Sequence, residues 1–120
     1  MKIAITAQGK DIQNQVDPRF GRAPWFIIAD TDTGQFEAVD NAQNVNALQG
    51  AGIQAAQNVA RHGVACVLTG HCGPNAFRAL LAAGIQVIVG IEGTVAEAIE
   101  RFQRGELRPA DRPNVEGRWA

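Results

Sequence analysis

The sequence predicts an α/β domain built on a mixed sheet, and the second half of the chain carries most of that prediction. There, short apolar runs alternate with helical patterns that end at Gly63, Gly84 and Gly105, which recur every 21 residues. Each glycine falls where a helix needs a left-handed residue after its last turn. The apolar runs show little polar alternation, which is typical of buried parallel strands. This half is therefore predicted to be a tandem strand–helix unit.

The three predicted helices each show one apolar face. In the second and third helices apolar side chains recur at the i, i+3, i+4, i+7 spacing that places them on one side of a helix, and the first helix has a narrower apolar stripe. These positions are Ile53, Ala56, Val59 and Ala60 in the first helix, Phe77, Leu80 and Leu81 in the second, and Val95, Ala98, Ile99 and Phe102 in the third. Thr94 and Glu97 form a T-x-x-E capping box, which predicts where the third helix begins.

The first half of the chain supplies the remaining strands. Residues 2–7 are predicted to form the first strand, and residues 25–30 and 35–39 a hairpin around the turn at 31–34. The resulting order is β-ββ-α-β-α-β-α, which predicts a mixed five-stranded sheet with helices packed on its faces.

Bulk properties limit the class of protein. The 120 residues are expected to form a single domain over 1–105, followed by a polar, flexible tail over 106–120 that packs weakly. A net charge of −1 argues against the broad basic face that nucleic acid requires. Met1 runs directly into the first strand, with no signal sequence or bilayer-length apolar run, so a cytoplasmic location without membrane association is expected.

Side chains suited to catalysis are scarce. Serine and tyrosine do not occur, and the sequence contains no P-loop, Gly-x-Ser-x-Gly or His-Glu-x-x-His motif. A disulfide between Cys66 and Cys72 is not expected in a reducing cytosol, and two thiols are too few for a tetrathiolate metal site. The sequence therefore predicts a protein that is not an enzyme.

Ligand chemistry is expected at one edge of the sheet, because open α/β sheets bind ligands outside the carboxyl ends of their parallel strands. One such strand ends in residues 69–73, where Gly70 and Gly73 flank His71 and Cys72 and allow a ligand close to the backbone. A helix follows directly, and its unpaired N–H groups and dipole favour an anion. A thiolate and an imidazole at this position suit a metal–sulfur anion.

Structural interpretations of the same region stay open at this point. A Gly-x-x-Gly segment is a common strand–helix turn, and Asn75 satisfies turn donors as readily as it binds a ligand. In residues 16–22, Arg19 and Arg22 bracket an aromatic residue and a glycine, which is either a solvated turn or a clamp for an oxyanion. Cys66 lies in a predicted strand and is interpreted as a small core residue.

Four stretches of the chain resemble the dinitrogenase iron–molybdenum cofactor biosynthesis family. They are MKIAI at residues 1–5, VDPRFGRA at 16–23, GAGIQAA at 50–56 and TGHCGPNAF at 69–77. They occur in the family's order, and DPRFGR together with GPNAF is a specific combination. Within the family the chain looks most like the orange-protein branch of sulfate-reducing bacteria, whose members hold a molybdenum–copper sulfide cluster non-covalently.

The resemblance implies a ribonuclease-H-like motif and a role in binding, carrying or inserting metal clusters. The residues that it places at the binding cleft are Arg19, Arg22, Asn46, Gly50, Gly52, Thr69, Gly70, Gly73 and Asn75. Direct coordination of a metal by His71 or Cys72 is our own inference from their position rather than a property of the family. The first strand offers no carboxylate for two-metal nuclease chemistry, so a nuclease is rejected.

The favoured function is therefore a small non-catalytic carrier of an anionic metal–sulfur cluster, connected with cofactor biosynthesis and nitrogen fixation. The expected cargo is a molybdenum–copper sulfide cluster or an iron–molybdenum–sulfur cluster, passed to or from a protein donor or acceptor. A monomer or weak dimer without nucleic-acid partners is expected. The alternatives are a regulatory module that senses a small anion or nucleotide, and a cluster-assembly enzyme.

Overall fold

The computed structural model describes residues 1–45, 47 and 49–115, and its elements follow the predicted order. The strands are β1 (Lys2–Ala7), β2 (Trp25–Asp30), β3 (Phe36–Asp40), β4 (Cys66–Leu68) and β5 (Gln86–Ile88), and the helices are α1 (Ala51–Ala60), α2 (Pro74–Ala82) and α3 (Val95–Gln103). A short 3-10 helix over Ala42–Asn44 lies between β3 and α1. None of the helices in the described residues has the length and apolar content needed to span a bilayer.

The five strands form one mixed sheet in the order β3-β2-β1-β4-β5. β2 is antiparallel to both of its neighbours, whereas β4 is parallel to β1 and to β5. The predicted mixed α/β sheet is confirmed, and its arrangement is that of a ribonuclease-H-like motif. Because β1, β4 and β5 run in the same direction, the segments that follow them meet at one edge of the sheet, which we call the carboxyl edge.

An apolar layer covers each face of the sheet. One layer joins α1 and α2 to strand residues that include Phe26 and Val67, and the other joins α3 to residues that include Ile27 and Leu68. Successive strand residues thus point into opposite layers, as the twofold period of a strand requires. Both faces are covered, which explains why the strand segments are continuously apolar in the sequence.

Predicted helix ends are confirmed where their local chemistry is specific. Gly63, Gly84 and Gly105 have φ angles of 68°, 77° and 73°, in the left-handed region that glycine adopts without strain. Thr94 Oγ1 accepts from the Glu97 N–H at 3.1 Å, and Glu97 Oε1 accepts from the Thr94 N–H at 2.9 Å. The capping box therefore begins α3 as predicted.

Residues 106–115, which we call the C-terminal strap, contact the domain at several points. The Ala110 N–H donates to Val87 O at 2.7 Å, and the Asn114 N–H donates to Cys72 O at 3.2 Å. Leu107 and Ala110 also pack against the two apolar layers. Every residue of the strap is exposed or half-buried, and its attachment uses an outward carbonyl of the edge strand β5, a hydrogen bond that composition does not reveal.

Candidate anion site at the carboxyl edge

The loop that follows β1 and the loop that follows β4 run side by side at the carboxyl edge. The His71 N–H donates to Pro18 O at 2.6 Å, and the Phe20 N–H donates to His71 O at 3.2 Å, so that Arg19 pairs with His71 in a parallel bridge. We call these segments the 16–22 loop and the 69–73 loop. Their backbone bonds bring together two of the regions that the sequence predicted to form the site.

A buried hydroxyl pair anchors both loops to β1. Thr6 Oγ1 lies 2.9 Å from Thr69 Oγ1 and donates to Asp17 O at 2.7 Å. The three residues are at most 3% exposed. A buried polar network whose members are all hydrogen-bonded holds its segments in one arrangement. Thr69, predicted to contact the cofactor, therefore has its side chain directed into this network.

Gly70 permits the close approach of the two loops. A Cβ atom here would lie 2.8 Å from Pro18 Cα and 2.9 Å from Pro18 O, distances at which the backbone has to shift. The steric demand at Gly70 thus comes from the chain itself. Gly73, by contrast, has φ −80° and ψ 173°, an extended conformation that other residues also adopt.

The two arginines of the 16–22 loop lie in different environments. The Arg19 side chain is 44% exposed, and its Nε lies 3.6 Å from Oδ1 of the buried Asp17. Arg22 is half-buried, and its Nη1 donates to Ala47 O at 2.6 Å and to Val45 O at 3.3 Å. Arg19 therefore keeps donors accessible at the site, whereas Arg22 holds the segment that precedes α1.

Buried residues fix the 16–22 loop, so it is not a solvated turn. Phe20 is fully buried, and its ring centroid lies 5.5 Å from that of Phe26. Asn41, also fully buried, donates from Nδ2 to Ala23 O at 2.8 Å. These contacts attach the loop to the core and to the end of β3. The single apolar aromatic residue between two arginines was the local signal for this anchoring.

Helices α1 and α2 lie in the same layer and both begin at the carboxyl edge. Among the described residues, neither helix has an acidic residue in its first turn or a side chain that caps it. The first N–H groups of a helix have no acceptor within it, and the helix dipole adds positive charge there. Gly50 and Gly52 lie at the start of α1, and Asn75 lies in the first turn of α2, where its Oδ1 is 3.5 Å from Arg78 Nη2.

Cys72 does not present its sulfur at this edge. Its side chain is fully buried in the layer beneath α1 and α2, and this burial raises the pKa of the thiol to about 12. Cys66 is buried in the opposite layer, where desolvation raises the pKa of its thiol to about 11. Because its sulfur lies in the core, Cys72 meets the edge through its backbone.

Asn114 of the strap is a residue of the edge that the sequence analysis missed. Its Oδ1 accepts from the Cys72 N–H at 2.8 Å, and its Nδ2 donates to Gly70 O at 3.1 Å and lies 3.4 Å from His71 Nδ1. No sequence signal pointed to Asn114, because it lies in the segment expected to pack weakly. Asn46, predicted to contact the cofactor, lies outside the described residues.

The fold and this edge define a small α/β domain whose carboxyl edge carries a partly exposed guanidinium and the starts of two helices without a described side-chain cap. In residues 1–45, 47 and 49–115, no group of three or more His, Cys, Asp and Glu side chains is placed to hold a metal ion. The His71 and Cys72 N–H groups of the 69–73 loop are bonded to Pro18 O and Asn114 Oδ1, so the donors that suit an anion here are those at the start of α2 and the Arg19 guanidinium.

Comparison with known proteins assigns the family. The model of the family described as "Dinitrogenase iron-molybdenum cofactor" matches residues 1–105, and the chain belongs to this family. The structure is similar to the apo form of the orange protein (ORP) from Desulfovibrio gigas, with a TM-score of 0.93 and 47% identity over 95% of this chain and 96% of that one. The predicted resemblance to the family and its orange-protein branch is confirmed.

Two further relatives extend the comparison. A candidate NifB protein from Thermotoga has a TM-score of 0.83 and 38% identity, over 97% of this chain and 98% of that one. An uncharacterized protein of Methanocaldococcus jannaschii is 28% identical over 109 residues, which is 89% of each chain. The chain is thus a small cofactor-related protein whose likeness to these relatives extends over nearly its whole length.

Proposed function

We propose that this protein is a non-catalytic carrier that binds an anionic metal–sulfur cluster at the carboxyl edge of its sheet. The observation that carries the proposal is the backbone pairing of Arg19 with His71, which brings a residue with a partly exposed guanidinium to the loop that leads into α2. Family membership and likeness to the orange protein support a cofactor-related cargo, and we propose a molybdenum–copper sulfide cluster or an iron–molybdenum–sulfur cluster. A protein that donates or accepts the cluster is the implied partner.

The donors at the edge match the chemistry of such a cargo. A sulfide-rich cluster carries negative charge and exposes sulfur atoms that accept weak hydrogen bonds. The N–H groups at the start of α2 and the helix dipole attract this charge, and the Arg19 guanidinium, which is paired with Asp17 through Nε, adds further planar donors. Arg22, Gly50 and Gly52 contribute in this proposal by shaping the neighbouring start of α1.

Binding in this mode needs no bond from a cysteine to a metal. Cys66 and Cys72 are 2% and 0% exposed, and this burial raises the pKa of their thiols to about 11 and about 12. We therefore assign the backbone N–H of Cys72 to the site in place of the metal ligation by its sulfur that the sequence suggested. His71 stays a proposed contact of the cluster, as a hydrogen-bonding group or as a ligand.

The proposal is tested by adding tetrathiomolybdate and copper to the purified apo-protein. We expect stoichiometric visible absorption that stays with the protein through gel filtration. Arg19→Gln should weaken binding about tenfold, because it removes one full charge beside the anion. Arg61→Gln is the matched control: it removes the same charge from an exposed position at the C-terminal end of α1, away from the edge.

Three outcomes would count against this function or its geometry. Absence of retained colour in the wild-type protein would contradict the carrier. An equal loss of binding affinity in the Arg19 and Arg61 variants would show that binding depends only on net charge. It would contradict a binding site at the carboxyl edge. Thermal stabilisation by phosphate or nucleotides, with no response to thiomolybdate, would instead favour a module that senses small anions.

A further inference from the structure

The C-terminal strap ends on the 69–73 loop, and Asn114 makes the contact. Its side-chain Oδ1 accepts from the Cys72 N–H at 2.8 Å, its Nδ2 donates to Gly70 O at 3.1 Å, and its own N–H donates to Cys72 O at 3.2 Å. The strap therefore pairs with both sides of the Cys72 peptide. An amide side chain supplies this acceptor and donor together, whereas a carboxylate supplies acceptors alone.

These bonds fix the orientation of the Asn114 amide. Oδ1 faces a donor and Nδ2 faces a carbonyl, so exchanging the two atoms would break both hydrogen bonds. Nδ2 also lies 3.4 Å from His71 Nδ1, within reach of its second hydrogen. Asn114 thus interacts with three successive residues of the proposed site.

An anion bound at the 69–73 loop would compete with the Asn114 side chain for the N–H hydrogen of Cys72. A backbone N–H carries one hydrogen, and Asn114 Oδ1 already accepts that of Cys72. We propose that the C-terminal strap is a displaceable lid: Asn114 occupies the Cys72 N–H in the empty protein, and an arriving anion releases the strap from the loop. This inference rests on the proposed function of the carboxyl edge.

Few hydrogen bonds attach the strap to the domain, which is compatible with its release. Asn114 is solvent-exposed, and Pro109 and Pro113 have no N–H with which to extend the pairing beyond the Ala110 bond to Val87 O. Release therefore breaks few hydrogen bonds, uncovers the half-buried Leu107 and Ala110, and frees the Cys72 N–H. Such a lid would keep the empty site closed and couple loading to a movement that a partner protein can detect.

Titration of the full-length apo-protein with tetrathiomolybdate tests the lid. Asn114→Ala removes the competing acceptor and should tighten apparent affinity about tenfold, the scale of one net hydrogen bond. Gln103→Ala is the matched control, because it removes an exposed amide from α3, away from the loop, and should leave affinity unchanged. In the wild-type protein, hydrogen exchange of the Ala110 and Asn114 amides should accelerate at least severalfold once the anion is bound.

The possible outcomes distinguish a failure of the lid from a failure of the proposed function. Equal or weaker affinity of Asn114→Ala would overturn the lid, since Asn114 would then be neutral or would help to form the site. Unchanged exchange at both amides on anion binding would overturn it as well. If the wild-type protein and both variants fail to bind tetrathiomolybdate, the proposed function is contradicted, and so is the lid that depends on it.

Discussion

Burial of the Phe20 side chain shows that the 16–22 loop is a fixed part of the domain and not a solvated turn. In the sequence Phe20 stands within a charged, glycine-containing segment that is equally consistent with a solvated turn. In the structure it is fully buried against Phe26, and its backbone N–H donates to His71 O. The loop is therefore attached to the core at its centre, which lets Arg19 and Arg22 take up defined positions on either side.

Cys72 carries a prediction at the residue scale. Cys72→Ala should leave thiomolybdate binding unchanged, because its sulfur is buried in the core and its thiol pKa of about 12 keeps it protonated. The variant should lose about 1 kcal/mol of unfolding free energy through the small cavity that the missing sulfur leaves. Anion titration and urea denaturation measure the two quantities.

Cys66→Ala is the control for that prediction. It removes the same group from the opposite apolar layer, so it should cost similar stability and also leave binding intact. Loss of cluster binding in the Cys72 variant alone, without unfolding, would restore Cys72 as a metal ligand.

At the scale of elements, α3 is the helix with the most completely specified beginning. Thr94 and Glu97 satisfy each other's backbone N–H groups, and the bond from the Thr94 backbone, followed by that from its side chain, lowers the pKa of the Glu97 carboxyl below its ordinary 4.5. α1 and α2 begin without a side-chain cap in the described residues. The first N–H groups of α1 and α2 are therefore open to other partners, and these two helices begin next to the proposed site.

The Glu97 carboxylate predicts an acid dependence of stability. A depressed pKa in the folded state means that its contribution is present above the unfolded pKa of 4.5 and is lost as pH falls through the folded value. Glu97→Gln should therefore lower stability at neutral pH and make it fall less steeply in acid. Thermal unfolding between about pH 6 and about pH 3 measures this difference.

A matched variant isolates the effect of the box. Glu37→Gln removes an exposed carboxyl from β3, where no capping bond is made, and should leave the acid dependence close to that of the wild-type protein. Parallel pH profiles for the Glu97 variant and the wild-type protein would contradict the role assigned to the capping box.

At the scale of the whole molecule, the central strand β1 connects the two apolar layers with both loops of the proposed site. It pairs with β2 and β4, its residues point into both apolar layers, and its Thr6 reaches both loops of the carboxyl edge. Disruption of either layer therefore removes support from β1 and from the other layer. The site is a property of the assembled sheet and does not exist in any one segment.

This connection predicts cooperative unfolding of residues 1–105 as one unit. The calorimetric and van't Hoff enthalpies of thermal unfolding should agree, at about 70–80 kcal/mol for a chain of this size. Differential scanning calorimetry measures both enthalpies. Two resolved transitions, or a van't Hoff enthalpy far below the calorimetric one, would show that the α3 layer unfolds separately and would contradict the central role of β1.

Local rules were sufficient for the elements and insufficient for the site. The spacing of apolar residues, the glycines at 63, 84 and 105, and the capping box depend on neighbours within one or two turns, so the sequence reveals them directly. The direction of the Arg22 guanidinium towards Val45 O and Ala47 O depends on a contact between distant segments. The same holds for the steric demand at Gly70, which Pro18 imposes.

By itself, the sequence determined the order of elements, the family and the region in which an anion is expected, since each is encoded in short patterns of adjacent residues. Tertiary structure alone decided that the Cys72 sulfur points into the core, that Arg19 rather than Arg22 stays accessible, and that Asn114 reaches the 69–73 loop. The physical reason is that burial and hydrogen bonding are set by whichever groups the folded chain brings within a few ångströms. For these residues the partners lie far away in the sequence.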